Sequence, residues 1–237
     1  MRSLRLRERK RPASCMVRTP DPLKDRLKVP LDHLIRIPRG QKIHRVHRDI
    51  YSPVGGVVKF NGSPVGNARF SPIRDAAGNI IPTIYAGTTY ECALMESVSH
   101  DVPLTAGPTS FDPDALNPMV CSVIEVAQDL LVIDLTTIGL RFFRLKNTDL
   151  IDTPAADYSS TRPWAEILYR ENIDAQGLYW TSRQDNRAQA IMLFGTRVDP
   201  GASLTPIGMP TRLREADGTV ELALMRLATK IDVDIAK

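Results

Sequence analysis

"IYAGTTYECALMESVSHDVP", residues 84–103, runs from a β-like segment through a Gly-Thr-Thr corner into a helix, and the fold turns on that corner. Thr88 and Glu91 fit a Thr-x-x-Glu capping box, which predicts a helix starting at about Thr89. At ~100° per residue, Tyr90, Ala93, Leu94, Ser97 and Val98 form one stripe, assigned to the core. Glu96 falls roughly 130° from the centre of that stripe. It stands beside Cys92, Met95 and Ser99, with His100 one turn on. Small and apolar neighbours of this kind suit the wall of a cleft rather than a solvated face. A carboxylate there is a functional candidate, weighed against the plainer reading of a cap or surface ion pair.

Working outward, "KIHRV" (42–46) and "GVVKF" (56–60) read as strands, and "IIPTIYAG" (80–87) as a strand that Pro82 places at an edge or near its start. Between them, residues 61–79 are rich in Gly, Pro, Asn and Asp and read as a long loop with an extended piece at Ala68–Phe70. "MVCSVIEV" (119–126), "LLVIDL" (130–135), "GLYWTS" (177–182) and "AQAIMLFG" (188–195) read as further strands. "RPWAEILYRE" (162–171) reads as a helix with Pro163 in its first turn, and "TVELALMRLATKI" (219–231) also looks helical. Strands outnumber helices without alternating regularly. The expectation is therefore a single α+β domain, a mixed, strand-rich central sheet flanked by helices, rather than a doubly wound nucleotide fold.

The chain has 237 residues, enough to bury a sizeable core. Its net charge of +4 is unevenly spread: residues 1–30 carry ten Lys/Arg and three acids, net +7, which leaves −3 for residues 31–237. We therefore separate a basic extension, 1–30, from a domain spanning 31–237. Such an arm can neutralise phosphates, but it lacks aromatics for base stacking, so a solvated extension is the simpler reading. No apolar run suits a membrane span or a secretory signal, and the three cysteines (Cys15, Cys92, Cys121) read as reduced thiols of a cytoplasmic protein. There is no G-x-G-x-x-G, Walker A, G-x-S-x-G or H-E-x-x-H motif. His44 and His47 have ligand-like spacing but sit in a β segment with no third ligand, so no metal site is expected.

Three segments in order, "ARFSP" (68–72), "IYAGTT…ALMES" (84–97) and "GLYWTSRQ…AIMLFG" (177–195), resemble the Arg-Glu-Ser (RES) domain family over about residues 43–197. Members are bacterial toxins paired with helix-turn-helix antitoxins and are similar in fold to ADP-ribosylating toxins. The resemblance implies cleavage of the nicotinamide–ribose bond of NAD+, with water or inorganic phosphate as acceptor. NAD+ is then a substrate, with no permanently bound cofactor. It implies Arg69, Tyr85, Glu96 and Ser182 as the catalytic set. Arg69 and Tyr85, joined by Arg45 and Arg183, are candidates to bind the dinucleotide. An antitoxin partner is likewise implied, and a homodimer stays open.

These residue types suit the chemistry. Glycosidic cleavage develops positive charge on the ribose, which an ionised carboxylate stabilises. A forked guanidinium matches pyrophosphate, and a phenol ring offers its face to a cationic pyridinium. Ser182 is read as a hydrogen-bonding group and not as a nucleophile, since no base accompanies it. Plainer roles stand beside each: a structural ion pair for Arg69, strand filling for Tyr85, a turn hydrogen bond for Ser182. The inserted-looking "IRDAAGNIIP" (73–82) and the basic leader lie outside the pattern. Two other functions compete: an ADP-ribosyltransferase using the same pocket on a protein target, and a nucleic-acid-binding module working through residues 1–30.

Overall fold

In the computed structural model, residues 18–21, 26–52, 56–97, 109–111, 116–214, 229 and 233–235 are described. The strands are β1 (Ile35–Ile37), β2 (Lys42–Arg48), β3 (Ile73–Arg74), β4 (Ile80–Ile81), β5 (Thr83–Gly87), β6 (Thr109–Phe111), β7 (Met119–Val126), β8 (Leu130–Asp134), β9 (Gly177–Thr181), β10 (Gln189–Phe194), β11 (Leu204–Arg212) and β12 (Val233–Ile235). The helices are α1 (Tyr90–Ser97), α2 (Thr137–Phe142), α3 (Asn147–Leu150), α4 (Tyr158–Glu171) and α5 (Pro200–Ser203). Eight strands form one sheet in the order β1-β8-β9-β10-β5-β2-β7-β11, while β3–β4 and β6–β12 make two small ribbons. Within the large sheet only β8 and β9 run parallel. A parallel pair needs a long crossover, which α2, α3 and α4 supply. The mixed α+β architecture is the one expected.

Alternation along the central strands splits the apolar residues between two cores. On β10, Ala190, Met192 and Phe194 join Leu178, Trp180, Trp164 and Leu168 on the helix-covered face. Ile191 and Leu193 point the other way, onto Ile43, Ile84 and Val132. One row runs across the first face: His44 is paired with Gly87, Gly87 with Ala190, and Ala190 with Trp180. The β2–β5 seam has this one paired position, His44 with Gly87, whereas β2 and β7 are paired over seven.

Several local expectations need correction. "GVVKF" is not a strand: Gly56–Val58 is a turn of 3-10 helix. The Gly56 and Val57 carbonyls accept from the buried Arg45 guanidinium at 3.3 and 2.5 Å, so they are not free for a ladder. α1 is capped by Thr89, whose Oγ1 accepts from Cys92 N at 3.1 Å, while the Thr88 hydroxyl accepts from Gln189 N. Pro82 precedes β5 as expected, but β5 is internal, flanked by β10 and β2. α4 begins at Tyr158, so Pro163 lies inside it. The extra turn is held by Tyr158, buried under Arg69. The tail helix proposed for 219–231 falls almost wholly outside the described residues.

Candidate active site

The corner at Gly87 seats α1 hard against the sheet. A Cβ on Gly87 would lie 2.7 Å from Ala93 N and 3.0 Å from the Cys92 side chain, so only glycine permits this approach. Cys92, Ala93, Leu94 and Met95 are all buried. Cys92 and Met95 therefore belong to the core and not to a cleft wall beside Glu96. The wall of the cleft is Ala93, Glu96 and Ser97, an i, i+3, i+4 set. Ser99 and His100 lie outside the described residues.

That wall closes one side of a cavity of about 330 Å³, within the ~300–1,000 Å³ common for small-molecule sites. His44, Tyr85, Ala190 and Trp180 line it from the sheet, and Arg69 and Tyr158 from the loop and α4. Three of the four catalytic candidates thus line one cavity, and the fourth is bonded to it: Ser182 Oγ donates to Glu96 Oε1 at 2.6 Å. Ser182 itself is 2% exposed. Its oxygen also accepts from Gln184 N at 3.1 Å and Asp185 N at 3.0 Å. With both lone pairs occupied, its single proton is directed at the carboxylate.

Arg69 is 4% exposed. Its Nη1 donates to Thr153 Oγ1 at 2.8 Å and to Thr153 O at 3.3 Å, and the guanidinium lies 4.7 Å from the Tyr158 ring centroid. Burial pulls its pKa down, with Tyr158 and Glu96 opposing and Arg183 reinforcing the shift. Arg183 donates to the same Thr153 oxygen at 3.0 Å from an exposed position. Two guanidinium groups therefore converge on one carbonyl, a concentration of positive charge suited to an anion. Tyr85 accepts from Phe70 N at 3.1 Å and meets Trp180 edge-on at 6.2 Å. Burial pushes its pKa up to about 12, so it stays a neutral phenol.

Arg45 does not join this group. His44 and Val46 line the cavity, and alternation along β2 turns Arg45 to the opposite face, on the Gly56 and Val57 carbonyls. Burial lowers its pKa to about 10. His47 also faces away, 2.8 Å from Ser122 Oγ, so the two histidines share no ligand position. Among the described residues, no cluster of His, Cys, Asp and Glu is placed to hold a metal, and no helix is long and apolar enough to cross a membrane. Sequence reasoning missed His44, Tyr158 and Thr153 as members of the site. The alternation of β2 carried the signal for His44; Tyr158 and Thr153 arrive by tertiary folding, with no local mark.

The RES domain family model matches residues 42–214. Among solved structures, the chain is similar to a chain of the M. tuberculosis MbcT–MbcA toxin–antitoxin complex, with a TM-score of 0.51 and 16% identity, over 74% of this chain and 88% of that one. At that identity the likeness is one of fold. No curated protein matches the chain.

Proposed function

The chain belongs to the RES domain family, and from that premise we propose that it is an NAD+-degrading enzyme, the toxin of a toxin–antitoxin pair. The observation that supports this best is the 2.6 Å hydrogen bond from Ser182 to Glu96, a carboxylate lining the same cavity as the buried Arg69. The C–N bond between ribose C1″ and nicotinamide breaks with its electron pair leaving on the pyridine nitrogen, so the leaving group departs neutral. Positive charge builds on the ribose, and Glu96, oriented by Ser182, offsets it. Arg69 with Arg183 holds the pyrophosphate, and Tyr85 orients the ribose or the ring. Water as acceptor gives ADP-ribose and a proton; inorganic phosphate gives ADP-ribose 1″-phosphate. The partner in this reading is an antitoxin, as in the complex of the structural relative.

The test is incubation of the purified protein with NAD+, with and without inorganic phosphate, and chromatographic resolution of the products. Release of nicotinamide, lost in Glu96→Gln while its melting temperature holds, supports the reading. The phosphate arm identifies the acceptor. Intact NAD+ after prolonged incubation in both arms overturns it, and mass added to a protein instead redirects it to ADP-ribosyl transfer.

A further inference from the structure

Six buried side-chain nitrogens and oxygens among the described residues have no hydrogen-bond partner, and three of them belong to side chains lining the one cavity: His44 Nδ1, Arg69 Nε and Trp180 Nε1. Buried polar groups are nearly always paired, so such a concentration around one cavity asks for a reason. Arg69 has a role in the reading above, as a partner of the pyrophosphate. His44 is not. Its ring lies half-buried in the cavity wall and meets Tyr90 edge-on at 6.3 Å, and among the described residues no hydrogen bond fixes either ring nitrogen. A histidine kept for packing alone has a bonded counterexample on the same strand: His47 is tied to Ser122 Oγ and to Arg48 O.

Position decides what His44 meets. Across the sheet, His44, Gly87, Ala190 and Trp180 form one row, so His44 and Trp180 stand three strands apart, about 14 Å. Trp180 stacks edge-on with Phe70, next to Arg69, at 5.2 Å. His44 therefore occupies the end of the cavity remote from the guanidinium groups. Burial lowers its pKa, opposed by Glu91 and aided by Lys42, and a neutral imidazole has one donor and one acceptor. We infer that His44 is a further substrate-binding residue, hydrogen-bonding an uncharged polar group of the dinucleotide (base amide or ribose hydroxyl) at the end of the cavity opposite Arg69. This rests on the NAD+ reading above and adds to it a recognition element outside the residues of the family pattern.

The experiment measures equilibrium binding of NAD+, ADP-ribose and nicotinamide to the full chain carrying Glu96→Gln, so that no substrate is consumed. His44→Phe, which keeps a ring and removes both nitrogens, is expected to weaken NAD+ binding about tenfold, the worth of one good hydrogen bond. His44→Gln, which keeps a donor and an acceptor, should recover part of that. The loss should appear with nicotinamide if the partner is the amide, and with ADP-ribose if it is a hydroxyl. Melting temperatures confirm that both variants fold. NAD+ bound by His44→Phe as tightly as by its parent overturns the inference and leaves the NAD+ reading standing. A parent that binds no NAD+ takes both down together.

Discussion

Ser182 shows how a residue read loosely from sequence acquires a defined task once its neighbours are known. Its oxygen accepts from the amides of Gln184 and Asp185, so its proton goes to Glu96. Ser182→Ala removes one charge-assisted hydrogen bond, worth about 1.5–3 kcal/mol, together with the acceptor of both amides. The contact already fixes Glu96 before substrate binds, so its loss misplaces the carboxylate that offsets the ribose charge, and kcat for NAD+ should fall roughly 10–100-fold while KM changes little. An equal rise in KM with unchanged kcat would instead assign Ser182 to binding shared alike by the ground state and the transition state. Tyr85 has a second duty, as acceptor for Phe70 N. Tyr85→Phe strands that amide in a half-buried place and should lower unfolding stability by about 1–3 kcal/mol in a urea titration, separately from any effect on turnover.

At the scale of elements, the seating of α1 controls where Glu96 points. Gly87→Ala puts a methyl 2.7 Å from the Ala93 amide, and this backbone neighbour cannot swing aside as a side chain would. Overpacking of this kind costs about 1–3 kcal/mol, and a displaced Glu96 should also lose its hold on Ser182. A lowered melting temperature with unchanged NAD+ turnover would sink the claim that the corner sets the carboxylate. Strand β2 carries a pH signature. Burial lowers the pKa of both His44 and His47, so each is neutral in the fold and binds protons more readily when unfolded. Their contribution is present above the ordinary histidine value of about 6.5 and is lost as pH falls below it through the folded values. Melting curves at pH 7.5 and 5.5 should show that loss, and His44→Phe combined with His47→Asn should shrink it. Most of these elements were legible: β2, β5, β7, β8, β9, β10 and α4 follow from periodicity and β-branched composition. "GVVKF" was not, because a buried arginine from another strand takes its carbonyls. Nor was the burial of Cys92 and Met95, since an eight-residue helix wedged against a glycine is covered almost all round and leaves no wheel asymmetry to read.

Across the whole molecule, the site is assembled by strand order, which no local pattern reveals. Arg69, Tyr85, Glu96 and Ser182 are linked in sequence by ordered motifs, so their convergence was readable by family pattern, whereas Thr153, Tyr158 and His44 depend on which strands and helices become neighbours. The leading segment shows the same limit. Its composition marks charge, yet Leu27 is 6% exposed and belongs to the main core. Asn172, at the end of α4, accepts from Val29 N at 2.6 Å and donates to Leu27 O and Leu168 O at 2.9 Å each. One side chain thus clasps the segment to the helix whose other end, Tyr158, lies under Arg69. Leu27→Ala should cost about 2–5 kcal/mol through the lost apolar contact and the cavity left behind. Asn172→Ala removes the hydrogen bonds to Val29 N, Leu27 O and Leu168 O, and should cost about 1–3 kcal/mol. Because both act through one clasp, the double variant should lose less than the two single losses added, a coupling that denaturant titration of all four proteins resolves. Strict additivity would mean that residues 26–30 are held by contacts other than this asparagine.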